Sequence, residues 1–96
     1  MSKMNSRYQI TLPQTIINES NIDINRMLCL YVYNGNLVID NPSSINYSIP
    51  CLGRITLNAA HTFTIHQHIR CIFNFNPGDE IEFSIYKGKP TFKRIL

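Results

Sequence analysis

The stretch from Phe63 to Lys89, FTIHQHIRCIFNFNPGDEIEFSIYKGK, predicts a strand, a short helix and a β-hairpin in succession. Phe63 and Ile65 alternate with Thr64, as in a half-buried strand, and then Ile69, Ile72 and Phe73 recur at helical spacing. Asn74 is a residue type that tolerates the left-handed conformation of a helix C-cap, and Asn76-Pro77-Gly78-Asp79 stops the helix. Beyond it Ile81, Phe83 and Ile85 point one way and Glu82, Ser84 and Tyr86 the other. Lys87-Gly88-Lys89 then supplies the glycine of a tight hairpin turn.

Working outward, each residue from Gln9 to Ile39 can be set against the one 53 positions later without a gap. Thr11/Thr64, Gln14/Gln67, Ile16/Ile69, Asn21/Asn74, Tyr33/Tyr86 and Gly35/Gly88 are identical. Ile10/Phe63, Leu12/Ile65, Leu28/Ile81, Leu30/Phe83 and Val32/Ile85 keep apolar character. The first half therefore predicts the same elements: a helix from Gln14 to Ser20 capped by Asn21, a strand from Arg26 to Tyr33, an Asn34-Gly35 type I′ turn, and a return strand from Asn36 to Asp40. The chain divides into a first repeat (residues 1–40), a polar, proline-bracketed linker (residues 41–50) and a second repeat (residues 51–96), with Arg54 to Asn58 as a further strand. The two repeats are expected to form one compact domain, with Leu28, Leu30, Val32, Ile81, Phe83 and Ile85 facing a shared core.

The order strand, helix, Pro-Gly-Asp, strand, turn, strand resembles the SpoVT/AbrB-like family of swapped-hairpin DNA-binding domains. Its consensus runs roughly TIPKEIRKKLGIKPGDEVEV. Thr64-Ile65, Ile69-Arg70, Phe73, Phe75 and Pro77-Gly78-Asp79 fall on matching positions, and Ser6-Arg7-Tyr8-Gln9-Ile10-Thr11-Leu12-Pro13 resembles the family's SKGQITIP segment. His66 stands where the family usually has proline, and Asn74 where it has glycine. The resemblance implies a mainly β fold with two short helices: a pseudo-two-fold, swapped-hairpin, AbrB-like β-barrel. It would be built from two tandem ββαββ-type repeats, arranged as in MraZ-type proteins.

The resemblance also implies a site. Double-stranded DNA would be bound by basic residues on the loop between the first two strands and on the exposed helix face, here Lys3 and Arg7, then Arg54 and Arg70, with Gln9, Gln14 and Gln67 as hydrogen-bonding groups. Guanidinium groups suit this role because they bind phosphate oxygens or the guanine O6/N7 edge in bidentate fashion. The residue corresponding to Arg70 in the first repeat is Ile17, so binding is expected to be asymmetric. The alternative is an antitoxin-like or mobile-element module that engages another protein and has lost, or does not need, DNA binding.

Composition sets the outer limits. Ninety-six residues leave room for little besides this domain, and the net charge of +3 is compatible with nucleic acid without requiring it. No apolar run approaches the roughly 18 to 20 residues that span a bilayer, and no leader pattern is seen, so a cytoplasmic protein without a membrane partner is expected. Cys29, Cys51 and Cys71 are odd in number and at no metal-ligand spacing, which reads as reduced thiols. His61, His66, His68 and Cys71 raise a metal site, but two residues on a helix stand about 200° apart, so His66 and His68 are not expected to share an ion. No phosphate loop, nucleophile elbow or HExxH segment is present, and neither an enzyme nor a cofactor is expected.

The outer face of the first repeat's long strand carries Met27, Cys29, Tyr31 and Tyr33, where the second has Glu80, Glu82, Ser84 and Tyr86. Such an apolar row needs a cover. Either the linker, through Ile45, Tyr47 and Ile49, folds over it, or a second chain does, giving a homo-oligomer that is a dimer of pseudo-dimers.

Overall fold

The computed structural model describes residues 2–42 and 51–95. Among these, the strands are β1 Ser2–Lys3, β2 Gln9–Thr11, β3 Leu28–Tyr33, β4 Asn36–Asp40, β5 Gly53–Ile55, β6 Thr62–Thr64, β7 Glu80–Tyr86 and β8 Lys89–Arg94. The helices are α1 Gln14–Glu19 and α2 Gln67–Phe73. The two hairpins, β3–β4 and β7–β8, turn at Asn34-Gly35 and Lys87-Gly88. All four turn residues have positive φ (52° and 79°, 52° and 80°), the geometry of a type I′ turn, whose twist matches that of its strands.

The hairpins lie side by side in one six-stranded antiparallel sheet of order β1-β7-β8-β4-β3-β5, curled into a half-barrel, while β2 and β6 form a separate two-stranded ribbon. The fold is mainly β with two helices. Pairing crosses between the halves: β1 joins β7, β5 joins β3, β2 joins β6 and β4 joins β8. It does so about an approximate two-fold axis. Ile10 faces Phe63 and Val38 faces Thr91, each pair 53 residues apart, and Ser2 opposite Ile81 is matched by Ile55 opposite Leu28.

Side chains from both halves fill one core, in which Ile10, Leu28, Leu30, Ile39, Phe63, Ile65, Ile69, Ile81 and Phe92 are buried. Phe92 sits among Phe63, Phe75 and Phe83, with ring centroids 5.7, 6.2 and 5.7 Å away. Val32 departs from expectation: it is 40% exposed, its counterpart Ile85 is only half-buried, and so is Phe83, whose counterpart Leu30 is fully buried. For Val32 the reason is unequal roofing, since α1 packs against β7 while α2 makes no comparable packing against β3 among the described residues. Ile72, expected on the buried face of α2, is 62% exposed, and Ile69 alone is fully buried on that helix.

The helix ends also differ. Asn74 closes α2 in the left-handed conformation (φ 56°, ψ 39°), as its type suggested, but α1 closes on Ser20 in extended conformation, so Asn21 is not its cap. Pro13 stands just before α1 at φ −62°, ψ 144°, and His66 holds the same place before α2 at φ −67°, ψ 154°. Histidine adopts by context the backbone angle that proline presets. The expected strand from Arg54 to Asn58 is confined to Gly53–Ile55, and the two-residue strand β1 was not anticipated. Of the linker, only Asn41 and Pro42 are described; the proposed cover by Ile45, Tyr47 and Ile49 lies outside the described residues.

Candidate nucleic-acid interface

Asn5 builds the loop that carries Arg7. Its Oδ1 accepts the backbone N–H of Arg7 (2.9 Å) and of Gln9 (3.0 Å), and the loop closes with Tyr8 N–H donating to the Asn5 carbonyl at 3.0 Å. Tyr8 takes up φ 60° as a result. Asn58 does the same in the second half, holding Ala60 N–H (2.9 Å) and Thr62 N–H (3.0 Å), with His61 at φ 61°. An asparagine whose side chain mimics a backbone turn explains both loops. The signal was available in the sequence, since Asn5 and Asn58 stand 53 positions apart.

The crossed pairing then sets the first half's loop against the second half's helix. Ile65 N–H donates to the Tyr8 carbonyl (2.9 Å), which fixes the loop at the entrance to α2. The Arg70 guanidinium lies 3.8 Å from the centroid of the Tyr8 ring, and its Nη1 donates to the Ile65 carbonyl at 3.3 Å. Tyr8, Gln67, Arg70, Cys71, Asn74 and Asn76 line a shallow cleft. Arg7 is exposed beside it. A guanidinium stacked on a ring is held in one plane while its remaining N–H donors stay available. Tyr8 was not singled out from the sequence, because nothing local shows which helix its ring will meet.

The other sequence candidates do not line this cleft. Lys3 is exposed on β1 opposite Glu80, and Gln9 is half-buried with its Oε1 accepting from Asn5 Nδ2 at 3.0 Å. Arg54 stands on the edge strand β5 opposite Cys29, and its carbonyl takes the His66 imidazole at the start of α2. Gln14 Nε2 donates to Asn18 Oδ1 (2.9 Å) on α1, which has no basic residue in its last turn. Around the two-fold axis, Ala60, His61 and Ile17 occupy the places of Arg7, Tyr8 and Arg70, so the two ends of the molecule are unequal in charge.

Ion pairing separates the cations into two groups. Arg26, Lys89, Lys93 and Arg94 each have a carboxylate within 4 Å. Lys3, Arg7, Arg54, Arg70 and Lys87 have none among the described residues, and four of these five are the cations assigned to the surface from sequence.

The histidines are arranged differently from expectation. His66 is the N-cap and not a helical residue, so the helical angle between it and His68 does not apply. The rings are nearly parallel (11°) with centroids 6.1 Å apart. Each Nε2 donates to a carbonyl of the sheet edge, His66 to Arg54 at 3.1 Å and His68 to Leu52 at 2.6 Å. The imidazoles thus satisfy backbone acceptors that an edge strand would otherwise leave to solvent.

The row Met27, Cys29, Tyr31 and Tyr33 is not a continuous exposed patch. Cys29 and Tyr31 are buried within the chain at 4% and 6% exposure, and only Met27 and Tyr33, at its ends, are open to solvent. Tyr31 reaches buried Asp40 with its hydroxyl (3.2 Å), and Tyr33 stacks on Tyr86 with centroids 5.3 Å apart. Side chains engaged in this way present little surface to a second chain. No helix among the described residues is long and apolar enough to cross a membrane.

Comparison of the chain with protein-family models, with curated proteins and with solved structures returned no match.

Proposed function

We propose that the chain is a small transcriptional regulator that binds double-stranded DNA through the face formed by α2 and the Arg7-Tyr8 loop, and that its two halves are tandem repeats closing a swapped-hairpin barrel of the SpoVT/AbrB-like kind. The observation that carries this reading is the segregation of unpaired cations. Asp23, Asp40, Asp79 and Glu82 each lie within 4 Å of another cation, Glu19 is on α1 and Glu80 on β7, while Arg70 lines the cleft with Tyr8 and Gln67, and exposed Arg7 directly precedes Tyr8 in the chain. Exposed Arg7 supplies a phosphate contact, and Arg70, oriented by Tyr8, presents its free edge to phosphate or to a guanine. The crossed pairing supports an asymmetric contact, because it gathers the basic loop and the basic helix at one end and leaves Ala60 and Ile17 at the other.

The test is binding to random duplex across a range of salt concentrations. Arg7→Ala and Arg70→Ala should each weaken binding and lower the slope of log affinity against log salt by roughly one unit, since each removes about one phosphate contact. Ile17→Ala, the two-fold counterpart of Arg70, should leave the slope unchanged. Equal slopes in all four proteins would remove this face from consideration and favour the protein-interaction alternative.

A further inference from the structure

Gly35 and Gly88 hold equivalent places in the two hairpin turns, at φ +79° and +80°, but one is covered and the other is open. Asn21 N–H donates to the Gly88 carbonyl at 2.8 Å, and its amide lies so close that a Cβ on Gly88 would meet Nδ2 at 2.8 Å. Asn41 fixes this arrangement, donating from Nδ2 to the Asn21 carbonyl (3.1 Å) and accepting Asp23 N–H at Oδ1 (2.8 Å). Around Gly35 a Cβ would meet nothing within 4 Å. The counterpart of Asn21 is Asn74, whose carbonyl is held in the same way by Arg94 Nη1 at 3.0 Å. Asn74 is left-handed where α1 ends extended, and among the described residues its N–H makes no bond to Gly35.

The space left open is a shallow groove of about 240 Å³ between the β3–β4 turn, the end of α2 and β8. Leu37, Phe73, Phe75 and Phe92 line it, with ring centroids 6.3 Å apart for Phe73–Phe75 and 6.2 Å for Phe75–Phe92. Lys93 and Arg94 stand at its edge. Arg94 is committed to the Asn74 carbonyl and lies 3.9 Å from Asp79. Lys93 has only Glu82 at 3.9 Å, with both side chains more than half exposed, a surface pair that contributes little and exchanges readily.

We propose that this groove binds a small apolar anion, an aromatic or short aliphatic carboxylate or its sulfonate analogue, with the hydrocarbon against half-buried Phe73, over the buried rings of Phe75 and Phe92 at the groove floor, and the charge at Lys93. Its aromatic lining with one available cation matches the composition of small-molecule sites, mostly apolar with a few placed polar groups. The closed groove at Gly88 supplies an internal control. There the space is filled by the chain's own Asn21, the aromatic residues are replaced by Ser20, Ile22 and Ile39, and Lys93 is replaced by buried Asp40.

The experiment is a titration of the ¹⁵N-labelled chain with 8-anilinonaphthalene-1-sulfonate, beside its neutral analogue N-phenyl-1-naphthylamine, read by amide chemical shifts. Saturable shifts are expected at Gly35, Leu37, Phe92 and Arg94 with the anion, and none at Gly88, Ile39 and Asn41. Lys93→Glu should weaken binding about fivefold, and Phe73→Ser about tenfold or more, from loss of the rim charge and of the half-buried aromatic ring. Lys93 is exposed, so that variant reads out the site even if Phe73→Ser does not fold. Shifts that are scattered or equal at Gly88, equal affinity for the neutral analogue, or unchanged affinity in Lys93→Glu would each overturn the proposal.

Discussion

Cys29 shows how one side chain ties stability to pH. It is buried on β3, and burial, followed by the neighbouring Cys51 thiol, pushes its pKa from 9.0 up to about 11, with Arg54 partly opposing the shift. The fold therefore favours the protonated thiol. Its contribution to stability is complete below pH 9.0 and declines as pH rises toward 11. Tyr31, raised from 10.0 by burial and by Asp40, and Lys89, raised from 10.5 by its bond to Asp40, titrate later in the same sense. Urea midpoints measured against pH should begin to fall near pH 9, and Cys29→Ala should delay that fall until the tyrosine and lysine titrate. An unchanged profile in Cys29→Ala would mean that the thiol reaches water more readily than its burial indicates.

At the scale of elements, β4 and β8 are joined by an ion pair between buried Asp40 and half-buried Lys89 as well as by their ladder. Asp40 is 1% exposed and takes Lys89 Nζ at 3.0 Å, the Tyr31 hydroxyl at 3.2 Å and Asn41 N–H at 2.8 Å. The carboxylate is well satisfied, which is the condition for tolerating a buried charge. Lys89→Met should cost about 3 to 5 kcal/mol in chemical denaturation because it leaves Asp40 charged and unpaired, and adding Asp40→Leu should recover most of that loss. A single variant costing under about 1 kcal/mol would show that solvent reaches the carboxylate. The counterpart of Lys89 in the first hairpin is Asn36 and that of Asp40 is Lys93, so this pair belongs to one side of the molecule only.

For the molecule as a whole, the crossed pairing makes each half dependent on the other. β1 has its partner in β7, β5 has its partner in β3, and the core mixes residues of both halves. Leu30→Ala and Phe92→Ala, one from each half and both fully buried, should each lower stability by about 2 to 5 kcal/mol while leaving a single unfolding transition with unchanged denaturant slope. Two transitions, or a change confined to one set of probes, would show that the halves unfold separately. Phe83 is half-buried and should be the milder site, although its place in the alternation made it look equal to Leu30.

Local pattern was enough for the elements and their turns. Alternation in 81–86, the stop at Pro77-Gly78, the bounds of Asn36–Asp40 and the left-handed Asn74 follow from backbone preferences that act over a few residues. The cations of the candidate face were legible for a similar reason, since arginine and lysine are named in the chain whatever surrounds them. Periodicity tells which residues share a face but not whether anything lies against it, and for this reason Cys29 and Tyr31 proved buried while Val32 and Ile72 proved exposed. The meeting of Arg70 with Tyr8, the parallel histidines on the β5 edge, and the open groove at Gly35 beside its filled counterpart at Gly88 all arise from contacts between distant segments. Those contacts were settled by how the two halves pack, because burial depends on what the rest of the chain places opposite a residue and not on the residue's neighbours in sequence.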